Sequence, residues 1–330
     1  MAKSKKYVIP EDDTLNLVED LFNPYSEARP FLKWAGGKTQ LLKDIEKALP
    51  KDIRNWQDFT YIEPFVGSGA VLFWMLRNFP NMKKAVINDV NTDLITAYKV
   101  IKSSPSELIR VLAKLQKHYH NIAAEDDRRE FFISQRAQFN TKGHNDVENT
   151  ALFIFLNRTC FNGLYRVNSK GHFNVPFGKY GNPTICDEAT ILSDSHALQN
   201  VVLVNGDFED TLQYAIEKSL FYFDPPYKPL SGTSSFNSYA KDAFNDAAQE
   251  RLKKFCDRIA SEGHLFLLSN SDVRSNDPNN HYFDNLFSNH YIDRVNASRR
   301  INADPEKRGL LTELLITNYD KRRSNQLTEV

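Results

Sequence analysis

The sequence predicts an α/β fold, a doubly wound sheet interrupted by a mostly helical insertion, and three observations predict it. The run Phe59-Thr60-Tyr61-Ile62 stops at Glu63-Pro64, and Gly67-Ser68-Gly69 then opens the apolar stretch Ala70–Leu76, which reads as strand, tight turn and helix. Further short apolar runs end at or just before an acid: Ala85–Asn88 at Asp89, Val201–Val204 before Asp207, and Leu220–Phe223 at Asp224. Between the second and third runs, residues 93–186 carry helical spacing and then glycines rather than strands.

Taken in order, the first strand–turn–helix leads to the strand 85–88 and a helix from Asp93 to Ile101, so two parallel strands with a crossover are implied. From Pro105 to about Leu156 the pattern stays helical, with Leu108, Ile109, Leu112 and Leu115 on one face. Gly163, Gly171, Gly178, Gly181 and Pro183 then exclude a long helix. The sheet resumes at 201–204 and 220–223, followed by a helix over 244–261 and strands over His264–Asn270 and Leu311–Thr317. Ligands of such sheets bind at the carboxyl ends of strands, where Glu63, Asp89, Asp207 and Asp224 fall. Residues 1–28 read either as an extra helix around Leu15–Leu21 or as an arm, and 321–330 as a terminal extension.

Composition excludes several classes. No run approaches the ~18 apolar residues of a membrane span, and the charged start leads into Pro10-Glu11-Asp12-Asp13 rather than an apolar signal, so a cytoplasmic monomer is expected. Cys160, Cys186 and Cys256 lie far apart without a C-x-x-C, which points to isolated thiols and not to a disulfide framework or a zinc site. With 42 basic and 42 acidic residues the chain has no overall attraction for a polyanion, so any nucleic-acid surface must be local. The window 158–180 supplies one: it holds Arg158, Arg166, Lys170, His172 and Lys179 and no acid, whereas 125–130 is acidic and expected to face solvent.

The turn Glu63-Pro64-Phe65-Val66-Gly67-Ser68-Gly69 resembles a nucleotide-binding turn, with glycines that let backbone approach a ligand. Asp89, twenty residues beyond Gly69, is placed to hold ribose hydroxyls, but Leu72 replaces the third glycine of the dinucleotide fingerprint. Glu63 would repel a pyrophosphate and favour a ligand bearing ammonium and sulfonium groups, as S-adenosyl-L-methionine does. Asp207 offers an acceptor for an adenine amine with Phe208 as an apolar wall; a helix N-cap is the competing reading of Asp207. Upstream, Gly37-Lys38-Thr39 suggests a phosphate loop, but Leu32 stands where that motif needs glycine. Trp34, Ala35, Gly36 and Lys38 are therefore read as a turn against the cofactor.

The tetrapeptide Asp224-Pro225-Pro226-Tyr227 carries the chemistry. An aromatic amine is a poor nucleophile because its lone pair is delocalised. If the Asp224 carboxylate and the Pro225 carbonyl accept its hydrogens, the nitrogen can pyramidalise and aim that pair at a methyl group. Prolines fix φ and add no competing donors, and Tyr227 can stack on the base. The zinc-deaminase pattern is absent and no metal is called for. A rigid turn after a strand is the alternative for Asp-Pro-Pro alone.

The ordered set Phe31–Lys38, Tyr61–Gly69, Asn162–Tyr180 and Asp224–Tyr227, with Pro229-Leu230-Ser231 after it, resembles the Dam-type alpha group, or D12 class, of DNA adenine-N6 methyltransferases over about residues 29–320. That resemblance implies a Rossmann-like methyltransferase sheet (29–92 and 187–320), a target-recognition insertion (93–186), S-adenosyl-L-methionine as cofactor and double-stranded DNA as substrate. It places the reading of bases on Phe161–Asn168 and Phe173–Tyr180. Arg166 would contact a guanine, Leu164 and Pro176 a thymine methyl, and Lys33 with Tyr180 the guanine before the target adenine. Phe161 would wedge into the duplex beside Asn162, and Asn174 lies within the reading stretch. Arginine suits guanine O6 and N7, and apolar groups suit the thymine methyl. The implied site begins GAT, with GATC favoured and longer GAT-containing sites left open. Ser298–Gly309 reads as a phosphate-contacting hairpin or a solvated loop. Methylation of another planar amine, in RNA or a protein amide, goes usually with Asn in place of Asp224. A DNA-binding module without catalysis would show damage at Asp224, Tyr227 or Gly67, and none is seen.

Overall fold

The computed structural model describes residues 27–34, 36–216, 218–227, 244–297 and 311–321. Residues 1–26, Ala35, Pro229-Leu230-Ser231 and the basic segment 298–309 lie outside the described residues.

Strands β1 (Phe59–Glu63), β2 (Met82–Asp89), β3 (Val201–Asn205), β4 (Ser219–Phe223), β5 (Leu265–Ser271), β6 (Tyr291–Ala297) and β7 (Leu311–Thr317) form one sheet in the order β3-β2-β1-β4-β5-β7-β6. The first five run parallel, and β7 lies antiparallel between β5 and β6. Every run read as a strand is one. β6 was not read, because Asp293, Arg294 and Asn296 interrupt its apolar residues, as suits a sheet edge.

Burial on both faces explains why β1 and β4 read as continuous apolar runs. Their side chains alternate: Phe59, Tyr61, Leu220 and Tyr222 enter one core, while Ile62, Phe221 and Phe223 enter the other. Helix α1 (Leu42–Ala48) precedes β1, and α2 (Ala70–Asn78) is the crossover to β2. Between β2 and β3 the chain builds α3 (Thr92–Ser103), α4 (Pro105–Asn121), α5 (Glu125–Thr141), α6 (Asp146–Thr159) and α7 (Glu188–Ala197). Helix α3 packs on β2, β3 and α7, and α6 sits against α3, α4 and α5. The stretch Thr150–Asn157 of α6 is buried on every side, which is why it carries Ala-Leu-Phe-Ile-Phe-Leu without a polar face. Helices α8 (Asp246–Ser261) and α9 (Tyr282–Leu286) cover the other face near β5.

The glycine-punctuated segment contains a short hairpin. Asn168 N donates to His172 O and Asn174 N to Arg166 O, while Cys160 bridges Phe177. Among the described residues no helix is long and apolar enough to cross a membrane.

Candidate active site

The strand order reverses direction between β1 and β4, and side chains leaving those two strands share the crevice above the sheet edge. Three segments meet there: the turn around Trp34–Lys38, the turn after β1, and the run after β4. They wall an open cleft bordered by Trp34, Gly36, Lys38, Glu63, Gly67 and Asp224, with Gly37, Val66, Ser68, Ala70 and Val71 completing it.

On the β4 side, Asp224 Oδ1 accepts from Lys38 Nζ at 2.8 Å and from Ser269 Oγ at 3.3 Å. The Lys38 ammonium, only 5% exposed, also donates to the Gly36 carbonyl at 3.0 Å and lies 4.3 Å from the centre of the Tyr227 ring. Lys38 thus stands at the junction between the cofactor-side turn and the tetrapeptide rather than on the cofactor side alone. Burial pushes the Asp224 carboxyl up, and the Lys38 charge pulls it back. The Tyr227 phenol donates to Glu313 Oε2 at 2.6 Å. Behind the prolines, Asn270 Nδ2 donates to Gln249 Oε1 at 3.1 Å, and Gln249 Nε2 to the Pro226 carbonyl at 3.4 Å.

On the β1 side, Glu63 is buried and accepts from the Tyr61 hydroxyl at 2.7 Å. Burial holds its carboxyl well above the ordinary range, opposed by that hydrogen bond and reinforced by nearby Asp224. Gly67 N donates to Asp89 Oδ2 at 3.2 Å and Asn91 N to Asp89 Oδ1 at 2.9 Å, fixing the carboxylate beside the turn. Gly69 caps α2 at φ +75°, and a Cβ there would stand 2.6 Å from the Tyr98 hydroxyl and 3.1 Å from the Phe73 ring. Tyr98 uses that hydroxyl to hold the Gly67 carbonyl at 3.0 Å. Gly69→Ala is therefore expected to lower stability in urea unfolding by about 2–3 kcal/mol, from left-handed strain and displacement of Tyr98. An unchanged midpoint would contradict this packing.

Phe65, Gly69, Asp89 and Phe208 do not border the cleft; the Phe65 ring packs 5.4 Å from Phe208 and 5.6 Å from Phe244. Asp207 is also outside it. Its Oδ1 caps the 3-10 helix Phe208–Tyr214 through Glu209 N at 2.9 Å, and its Oδ2 pairs with Arg251, whose guanidinium covers Phe208. The N-cap reading of Asp207 is thus realised. Sequence reasoning missed Ser269, Gln249, Asn270 and Glu313, which brace the tetrapeptide. Only Ser269-Asn270 had a visible signal, as polar residues closing an apolar strand.

The base-reading candidates gather around the start of the hairpin. Lys33 Nζ lies 5.0 Å from the Tyr180 ring centre, and its backbone N and O bond to the Asn157 amide at 2.9 and 2.8 Å. Phe161 is 45% exposed and Asn162 takes φ +54° beside it. Arg166 is exposed, with Nε on Asn174 Oδ1 at 2.7 Å and Nη2 on the Asn174 carbonyl at 3.2 Å. Asn174 thus braces Arg166. Leu164 is half-buried and Pro176 exposed. Besides Arg166, two cations of the acid-free window are engaged within the protein: Arg158 donates to the Phe31 carbonyl at 2.7 Å, and Lys179 pairs with Glu125 at 3.1 Å. The cleft and the hairpin meet at Trp34, whose indole borders Gly67 and stacks on Tyr165 at 5.5 Å.

This sheet, with an antiparallel β7 between β5 and β6 and an acid-Pro-Pro-Tyr run at its switch point, defines a Rossmann-like methyltransferase. More narrowly, residues 34–301 match the D12 class of N6 adenine-specific DNA methyltransferases, and the chain belongs to that family. It is 48% identical over 297 residues to the type II methyltransferase M.MjaIII of Methanocaldococcus jannaschii, covering 89% of this chain and 100% of that protein. It is 37% identical over 297 residues to the type II methyltransferase M1.LlaDCHI of Lactococcus lactis subsp. cremoris, covering 88% of this chain and 95% of that protein. A DNA adenine methylase of Haemophilus influenzae is 33% identical over 293 residues, covering 88% of this chain and 94% of that protein.

Proposed function

We propose that this DNA adenine methyltransferase uses S-adenosyl-L-methionine to methylate N6 of an adenine flipped out of duplex DNA at a GAT-containing site, with GATC favoured. The observation that carries the reading is the single cleft bordered by both Glu63 and Asp224, so that a donor held by one acid lies beside an amine held by the other.

The residues present fit such a cofactor. Glu63 is a buried acid whose carboxyl is held high by burial, and a cation brought against it would draw it into its charged form. Gly67 lets the Trp34 indole lie against the turn, where a Cβ would stand 3.0 Å from its Cδ1, and Asp89 keeps acceptor capacity at the end of β2. In this reading Trp34, Gly36 and Gly67 hold the methionine part and Asp89 the ribose. When bound, the cofactor supplies an electrophilic methyl group on sulfonium. Asp224 accepts from the adenine amine, the prolines keep the backbone carbonyls fixed, and Tyr227 stacks on the base. Holding the nucleophile in line with the methyl group provides most of the acceleration.

The target adenine must leave the duplex to reach the cleft, at a cost of a few kcal/mol of unstacking. Exposed Phe161 is suited to fill the space it leaves. Arg166, Leu164, Pro176, Lys33 and Tyr180 are assigned to base edges, within a recognition unit spanning 93–186 set against a catalytic unit of 29–92 and 187–320.

The test uses duplex oligonucleotides carrying GATC or single-position variants, with tritium-labelled S-adenosyl-L-methionine. Label is expected in GATC duplexes and lost when G, A or T changes. Variation of the final base separates GATC from longer sites. Equal labelling of duplexes without GAT would refute the site assignment.

A further inference from the structure

The active edge of the sheet is contributed by the carboxyl ends of parallel strands, with one exception. Because β7 runs antiparallel to β5, its beginning, not its end, comes to that edge: Glu313 pairs with Ser271, the last residue of β5. From there its carboxylate reaches the Tyr227 hydroxyl at 2.6 Å, within the short range of a strong charge-assisted bond. Glu313 is half-buried near the start of the strand, immediately before the buried apolar run Leu314-Leu315-Ile316, so its carboxylate can leave the sheet toward the tetrapeptide.

Tyr227 needs an anchor. It follows two prolines, outside any strand or helix, and an unanchored ring there can turn about its side-chain torsions. Stacking tolerates little of this, since a working site is held to within about 10–20° of its productive geometry. One face of the ring meets the Lys38 ammonium, which is itself tied to Asp224, so the ring's tilt also sets where the Lys38–Asp224 pair stands. The far end of the ring is held by Glu313.

We infer that Glu313 is a positioning residue for methyl transfer, acting through the Tyr227 hydroxyl to fix the plane on which the target base stacks. The inference rests on the proposed role of Tyr227 as the stacking surface. It gives the antiparallel strand a function in the reaction besides completing the sheet. Glu313 touches neither base nor cofactor in this scheme, so its influence passes entirely through one hydrogen bond.

A double-mutant cycle tests it, with steady-state methylation of a GATC duplex at varied cofactor concentration as the readout. Tyr227→Phe keeps the ring and loses the bond, and Glu313→Leu removes the acceptor. Each is expected to lower kcat by between about 5- and 100-fold, the scale of a small misplacement, with cofactor KM within about twofold of wild type. Glu313→Gln retains an acceptor and is expected to recover most of the rate. The double variant Tyr227→Phe/Glu313→Leu should be no slower than either single variant. Wild-type kcat in Tyr227→Phe overturns the inference, as does a Glu313→Leu penalty of equal size in the Tyr227→Phe background. Where Glu313→Leu unfolds early in a thermal melt, Tyr227→Phe and Glu313→Gln, which preserve size, carry the test. A wild-type chain that leaves the duplex unmethylated overturns the functional reading, and this inference with it.

Discussion

Replacing Asp224 with alanine is expected to lower methyl transfer to DNA by about 10²–10³-fold, the scale seen when a preorganised group facing the reacting atoms is removed. The carboxylate is the acceptor for the amine in the proposed reaction, and no neighbouring side chain replaces it. Ser269 and Lys38, its partners, are donors toward it and would compete for the same lone pairs as the adenine. Binding of duplex DNA, followed by fluorescence anisotropy, should change little, because the proposed DNA contacts Arg166, Lys33 and Phe161 are held through Asn174, Asn157 and the Pro176 carbonyl and not through Asp224. The alanine variant leaves the buried Lys38 ammonium without its acid, so a loss of stability is expected as well. Asp224→Asn separates the two effects: its amide oxygen still accepts from Lys38, so it should fold more stably than Asp224→Ala while remaining slower than wild type. Methyl transfer retained by Asp224→Ala would remove the tetrapeptide from the mechanism.

The next largest effect is expected at Arg166. Asn174 occupies Nε and one hydrogen of Nη2. The remaining hydrogens, on Nη1 and the other side of Nη2, form the fork that suits guanine O6 and N7. Arg166→Ala should therefore cost roughly 1–3 kcal/mol of discrimination at one guanine, measured by comparing kcat/KM on the GATC duplex and on a duplex altered at that base. Asn174→Ala should cost part of the same discrimination by freeing the guanidinium. Equal weakening on every sequence would make Arg166 a phosphate contact instead.

What could be read from the sequence follows a physical pattern. β1 and β4 are buried on both faces, so they announce themselves as unbroken apolar runs, and the acids that stop them, Glu63 and Asp224, both border the cleft. α6 is legible for the same reason. β6 is not, because an edge strand has little apolar demand. Asp207 was ambiguous in sequence because strand-end acids serve both ligands and helix caps, and its capture by Arg251 depends on α8, forty-four residues away. Glu313 was hidden by direction: reasoning from carboxyl ends of strands overlooks the start of an antiparallel one. Gln249 lies within a helix and Lys38 within a glycine turn, and only the fold brings them to Pro226 and Asp224. Charge counting in the window 158–180 overstated the free cations, since Arg158 and Lys179 meet partners contributed by other segments.

In the proposed reaction one cleft joins a methyl donor to the amine of an adenine within GATC. Sequencing of modified bases across the DNA of cells expressing this chain, in a host that lacks adenine methylation, tests it most directly. N6-methyladenine at GATC sites, absent when Asp224→Ala is expressed, is the predicted result. Methylation confined to cytosine, or adenine methylation unrelated to GAT, would contradict it.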